Sequence, residues 1–197
     1  MQLLLLQKFT TLRHPNPEPA MSPRPARYHP ALVTLHWLIA LLVMLALFAG
    51  SLVISDMPNT EPSKIDALRI HAIMGVSIGA LMLIRLLVRW RTAHPAPASS
   101  GIALADRLAP LAHGALYVLV LLMAASGIAL SVQSGLGEAL FGTGTLPADF
   151  HAFTPRLVHG LIADLLIALI VLHVAAALYH ALIRRDGLLK RMGFGAR

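Results

Sequence analysis

Ten histidines in a chain without a single cysteine set the chemistry that this sequence can carry. With no thiolate there is no structural disulfide, no thiolate zinc site, no cysteine-held iron–sulfur cluster and no covalently attached c-type haem. Imidazole remains, and imidazole is both a metal ligand and a proton carrier. His159 and His173 stand fourteen residues apart. On a helix that step is about four turns and about 21 Å of rise, so the two rings leave the same face. The same step separates His36 from Gly50, His71 from Arg85 and His113 from Gly127, a recurrence that one shared geometry would explain.

The elements that hold these positions follow from composition. The chain is 57% hydrophobic over 197 residues, too apolar for a soluble globule of this size. Four runs, at 32–54, 70–88, 108–132 and 157–183, each supply the roughly 20 apolar residues needed to cross about 30 Å of hydrocarbon. The sequence therefore predicts an all-α integral membrane four-helix bundle over residues 31–197. Ser63-Lys64-Ile65-Asp66 fits a capping box at the start of the second span, and Thr154-Pro155 a capped start for the fourth. The Gly-rich stretch 134–154 reads as a long loop, 93–101 as a Pro-containing connector, and residues 1–30 as a disordered Pro-rich leader.

Charge sets the orientation. The formal net charge of +7 invites a nucleic-acid reading, but the basic residues sit in short segments beside the apolar runs and form no soluble face. Twelve of the sixteen Lys and Arg lie before the first run, between the second and third, or after the fourth, and Arg85 sits at the matching end of the second run. The positive-inside rule then predicts both termini in the cytoplasm. The three on the other side are Lys64, Arg69 and Arg156. Arg69 and Arg156 fall within a turn of His71 and His159, with Lys64 nearby, a basic mouth that would steer an anion. Asp56, Glu61, Asp66, Glu138 and Asp149 share that side and leave its formal sum negative.

Depth sorts the histidines. Polar side chains are expensive inside a bilayer, so a histidine in a span carries a functional reading that a loop histidine does not. His14, His29, His94 and His151 fall in tails or loops and are read as ordinary solvated residues. His36 on the first span and His173 on the fourth lie near the inner surface; His71 on the second and His159 on the fourth lie near the outer one. Two pairs at matched depths suit the two axial positions of haem iron, and one helix would then serve two stacked haems. Zinc fits poorly, because each shell offers two imidazoles and no thiolate or carboxylate. Simple hydrogen bonding between helices is the plainer alternative, and matched depth argues against it.

Further residues join this frame. Gly50 would leave room for the outer macrocycle, and Arg85 would meet a propionate of the inner haem. His113, early in the third span, is an alternative ligand to His36 or His173. His180, two turns beyond His173, faces a propionate, a quinone, or only the interfacial aromatic belt beside Tyr179. Asp164, the acid deep in a span, either orients a ligand or sits protonated.

The motifs Thr34-Leu35-His36-Trp37, Arg69-Ile70-His71, Leu157-Val158-His159-Gly160 and Leu172-His173 through Tyr179-His180 resemble, in order and spacing, the bacterial cytochrome b561 family. The resemblance extends over residues 28–192 and implies a multi-pass protein of the bacterial inner membrane. It implies two haem b, with His36, His71, His159 and His173 as axial ligands and His180 near a quinone site. It also implies electron transfer from superoxide outside to ubiquinone in the membrane, or else service as a cytochrome subunit for a periplasmic dehydrogenase or hydrogenase partner. The Pro-rich leader and the Gly-rich loop depart from the family pattern.

Overall fold

A computed structural model describes residues 25–193; the leader expected over residues 1–30 falls outside them up to residue 24. Helix α1 (Pro30–Phe48) runs on through a π-helical turn, Ala49–Ile54. It is followed by α2 (Ser63–Arg91), α3 (Ala103–Gln133), the short α4 (Leu136–Phe141) and α5 (Thr154–Leu178), which continues through a second π-helical turn, Tyr179–Arg184. No strand occurs among the described residues. Four stretches, Pro30–Ile54, Ser63–Arg91, Ala103–Gln133 and Thr154–Arg184, are long and apolar enough to cross a bilayer.

Local chemistry explains the boundaries, with three corrections. His29, read as merely solvated, caps α1: its Nδ1 accepts the Ala31 N–H at 3.2 Å, and Pro30 follows in the first turn, where its missing N–H costs nothing. Helix α2 does begin at Ser63, but not through a capping box. Pro62 takes the cap position and the Ser63 hydroxyl donates to Glu61 Oε1 at 3.1 Å, so it is turned away from the helix. Helix α5 begins at Thr154 with Pro155 in its first turn, yet Phe153 is the cap residue and no side chain caps it.

The helices pack as sequential neighbours, α1 on α2, α2 on α3 and α3 on α5. Short connectors force an up-and-down course. One end of the bundle, here the terminal end, gathers the start of α1, the finish of α2, the start of α3 and the finish of α5. The hairpin end carries the α1–α2 turn and residues 134–153. That second segment is folded and not a bare loop. Leu136, Ala139 and Leu140 of α4 are buried, α4 rests on α2 and α3, and Arg69 Nε donates to Leu140 O at 2.7 Å. Asn59 Nδ2 closes the hairpin end by donating to the carbonyls of Pro147 at 2.8 Å and Ala148 at 3.1 Å.

The terminal end is tied by its last residues. Trp37 Nε1 donates to Met192 O at 3.0 Å, the Tyr28 N–H to Arg191 O at 3.2 Å, and Arg191 Nη1 to Ala96 O at 2.6 Å. Asp106 clamps the α2–α3 connector by accepting from the Ser100 N–H, the Ser100 hydroxyl and the Ser99 hydroxyl.

Burial is inverted relative to a soluble bundle. Leu41, Leu45, Phe48, Leu83, Leu87, Leu161, Leu165 and Leu172 all point outward and stay exposed, a continuous apolar coat that lipid, not water, can cover. Inside, a compact cluster of Ile39, Val43, Ile78, Met82, Val120 and Leu166 fills the middle of the bundle. Small residues set the helix spacing: a Cβ on Gly79 of α2 would lie 2.9 Å from Ala124 Cβ of α3. Gly79→Val should therefore push α2 from α3 and cost about 1–3 kcal/mol through overpacking, read as a lower thermal midpoint in detergent; an unchanged midpoint would place the helices further apart than this contact requires.

Candidate functional site

The central cluster is the middle storey of a repeated register. On each long helix, seven residues or about two turns separate a chemical residue from a core residue and that core residue from a second chemical one. The series are His36, Val43 and Gly50 on α1; His71, Ile78 and Arg85 on α2; His113, Val120 and Gly127 on α3; and His159, Leu166 and His173 on α5. All four middle residues belong to the buried cluster. Two layers result. The hairpin-end layer holds Gly50, His71, Gly127 and His159; the terminal-end layer holds His36, Arg85, His113 and His173.

In the hairpin-end layer the His71 and His159 rings face each other with centroids 6.2 Å apart and planes at 72°. Both line a cavity of about 1110 Å³ that also takes in Gly50 and Gly127. Both glycines lie against the rings: a Cβ on Gly50 would crowd His71 Cε1 at 3.1 Å, while one on Gly127 would meet His159 Cε1 at 3.4 Å, close to ordinary contact. The Ser126 hydroxyl donates to Met123 O at 2.9 Å, so it meets His159 Nδ1, also at 2.9 Å, as an acceptor. With the ring proton on Nδ1, the tautomer this contact accommodates, Nε2 keeps its lone pair, the state a metal ligand needs. His71 Nδ1 is buried without a partner.

The terminal-end layer repeats the distance. His36 and His173 stand with centroids 6.2 Å apart and planes at 69°. His113 approaches His173 as well, at 5.3 Å and 87°, while its Nδ1 donates to Ala109 O at 2.7 Å. Arg85 donates from Nη1 to Leu32 O, bracing α2 against α1, and its guanidinium carbon lies 5.8 Å from the centre of the Tyr117 ring.

Two imidazoles that each reach an interposed ion through a bond of roughly 2 Å stand with centroids about 6 Å apart, so both pairs have the spacing of a two-ligand metal site. Among the described residues no group of three or more His, Cys or acidic side chains converges to hold a metal ion. A planar cofactor fits the residues present: paired imidazoles in both layers and, at the hairpin end, a glycine-lined cavity of ligand-site size.

The other expected site residues divide. Lys64 and Arg156 line the same cavity as His71 and His159; Lys64 is buried and its ammonium donates to Met57 O. Arg69 stands at the same end, where its guanidinium donates to Leu140 O and to Asp66 Oδ1 at 2.5 Å and fastens α4. Asp164 lines the cavity but stays exposed. His180 is buried in the last π-helical turn, with Nδ1 at 2.5 Å from Asp186 Oδ2. That hydrogen bond holds the Asp186 carboxyl below the ordinary carboxylate range, so the contact is intact at neutral pH and is lost as pH falls through the lowered value.

The profile described as prokaryotic cytochrome b561 matches residues 27–195. The chain belongs to the prokaryotic cytochrome b561 family. Among its relatives, cytochrome b561 homolog 2 of Escherichia coli K12 is 29% identical over 173 residues, covering 85% of this chain and 92% of that protein. The probable superoxide oxidase CybB of Yersinia pestis is 30% identical over 165 residues, covering 81% and 92%. Cytochrome b562 of Cereibacter sphaeroides is 29% identical over 164 residues, covering 81% and 90%. This b561 protein is accordingly a multi-pass membrane cytochrome b that transfers electrons, with haem b as the cofactor its family implies.

Ser126 and Tyr117 escaped the sequence reading of this cytochrome. A serine one residue before a glycine on an apolar helix looks like packing, and its signal, the seven-residue register that places Gly127 beside His159, emerges only when all four helices are aligned. Ser126→Ala is expected to free the His159 ring to take the wrong tautomer and to weaken haem retention about 10- to 100-fold. Haem content after dilution in detergent measures this, and full retention would deny the serine its orienting role.

Proposed function

We propose that His71 with His159, and His36 with His173, are the axial ligands of two haem b, and that the protein carries electrons from superoxide at its hairpin end to ubiquinone at its terminal end. The observation that carries this reading is the repetition of one 6.2 Å imidazole separation on both sides of the apolar core. The basic residues flanking the terminal end support placing it in the cytoplasm and the hairpin end outside a bacterial inner membrane. When bound, haem supplies one-electron storage at two depths.

The chain's own residues do the rest. With both axial positions given to imidazole, superoxide is met by side chains: Lys64 and Arg156 line the cavity that reaches His71 and His159 and raise the local concentration of an anion. Two superoxide ions give up one electron each and leave as dioxygen; one ubiquinone takes those two electrons and two protons. At the terminal end His180 is positioned by Asp186 and is the group that would bond a quinone oxygen there. The probable superoxide oxidase among the relatives supports this substrate.

Purified protein should contain two b-type haems per chain, with one lost in His71→Ala and one in His173→Ala. Superoxide alone should reduce the haem of the wild type. Lys64→Gln with Arg156→Gln should slow that reduction about tenfold or more at low salt and flatten its dependence on ionic strength. Intact haem that superoxide leaves oxidised would remove this substrate and favour service to a periplasmic dehydrogenase or hydrogenase partner, detectable by co-purification.

A further inference from the structure

Arg85 brings a permanent cation to membrane depth, and among the described residues no carboxylate pairs with it; the ion pairs present there are Arg69 with Asp66 and His180 with Asp186. An intramembrane cation without a counter-anion is costly, so something negative belongs beside it. One of its five N–H groups is used by the Leu32 carbonyl, which leaves the fork free to donate further.

Tyr117 meets the same place from α3. Its ring lies 5.8 Å from the guanidinium carbon, packed against the central cluster, and its hydroxyl is buried with no hydrogen-bond partner. A phenol oxygen sealed from water with its proton unshared is unfavourable too, though less so than an unpaired cation, and the two deficits have one remedy. Arg85 belongs to the layer of His36, His113 and His173, and Tyr117 stands one turn from His113 toward the core. A cationic fork and a phenol with a free O–H donor therefore stand together beside the terminal-end layer, where an acidic substituent of a planar group held by His36 and His173 would find both donors.

We propose that Tyr117 and Arg85 form a two-donor clamp for a carboxylate of the cofactor in the terminal-end layer, Tyr117 donating its hydroxyl and Arg85 neutralising the charge. The proposal rests on the reading that His36 and His173 hold a haem there. The clamp acts on the cofactor's electronics more than on its retention. An added electron is repelled by a neighbouring carboxylate, and each donor that spreads the carboxylate's charge weakens the repulsion. Tyr117 is thus a positioning residue that raises the reduction potential of one haem and leaves the other alone.

The test is an equilibrium redox titration, followed optically, of Tyr117→Phe in the wild-type and His71→Ala backgrounds, the second retaining only the terminal-end haem. Phenylalanine keeps the ring and removes only the oxygen. The expected result is an unchanged haem count and a more negative terminal-end midpoint, by on the order of tenfold in its reduction equilibrium or about 59 mV for one electron. Arg85→Gln should shift the same midpoint further in the same direction. Unchanged midpoints in Tyr117→Phe with haem retained would overturn the clamp. Failure of the underlying ligation has a different signature, His173→Ala retaining both haems, and it too overturns the clamp.

Discussion

The bundle depends on a conflict between imidazole and hydrocarbon. Histidine rings are placed at membrane depth, where an unsatisfied polar group is costly, and the fold answers by confining them to two layers separated by side chains that need nothing. Val43, Ile78, Val120 and Leu166 are that separation. The seven-residue register makes it possible, because two turns of helix return a side chain to nearly the same face. Each long helix can then serve both layers and the core between them without bending. The outer surface follows from the same economy: with the polar groups turned inward, every remaining direction is apolar and faces lipid.

Much of this was legible before any coordinates. Run lengths gave the spans, because hydrocarbon thickness leaves few alternatives. The depths of His36, His71, His159 and His173 along opposed helices gave the pairs, since an antiparallel bundle turns sequence position into height. What escaped was set by contacts between distant segments. Ser63 was read as a cap from a local pattern, but Glu61 was a nearer acceptor for its hydroxyl. The stretch 134–154 was read as loop from its glycines, yet its Leu136 and Leu140 found cover against α2 and α3 and ordered a short helix. The contact of Arg69 with Leu140 O, which ties α2 to α4, likewise joins residues far apart in sequence and leaves no local signal.

Evidence for function likewise comes from two scales. Family membership identifies a membrane cytochrome b and says nothing residue by residue. The geometry is local: a tautomer fixed by Ser126, two glycines that hold back side chains, a cation drawn to a tyrosine. Their agreement matters because each has a separate physical origin.

The two layers are built to one plan but occupied unequally. In the slots beside the histidine pairs the hairpin end has Gly50 and Gly127, which carry no charge and no side chain, while the terminal end has Arg85 and His113. A fixed cation lowers the energy of any electron placed near it and does so strongly in a low-dielectric interior. Two otherwise identical redox groups stacked in this scaffold would therefore meet different fields: Arg85 would stand beside one, while at the other the cations are Lys64 and Arg156 on the cavity wall. A register that repeats on all four helices thus hides an electrostatic difference between the two ends of the bundle.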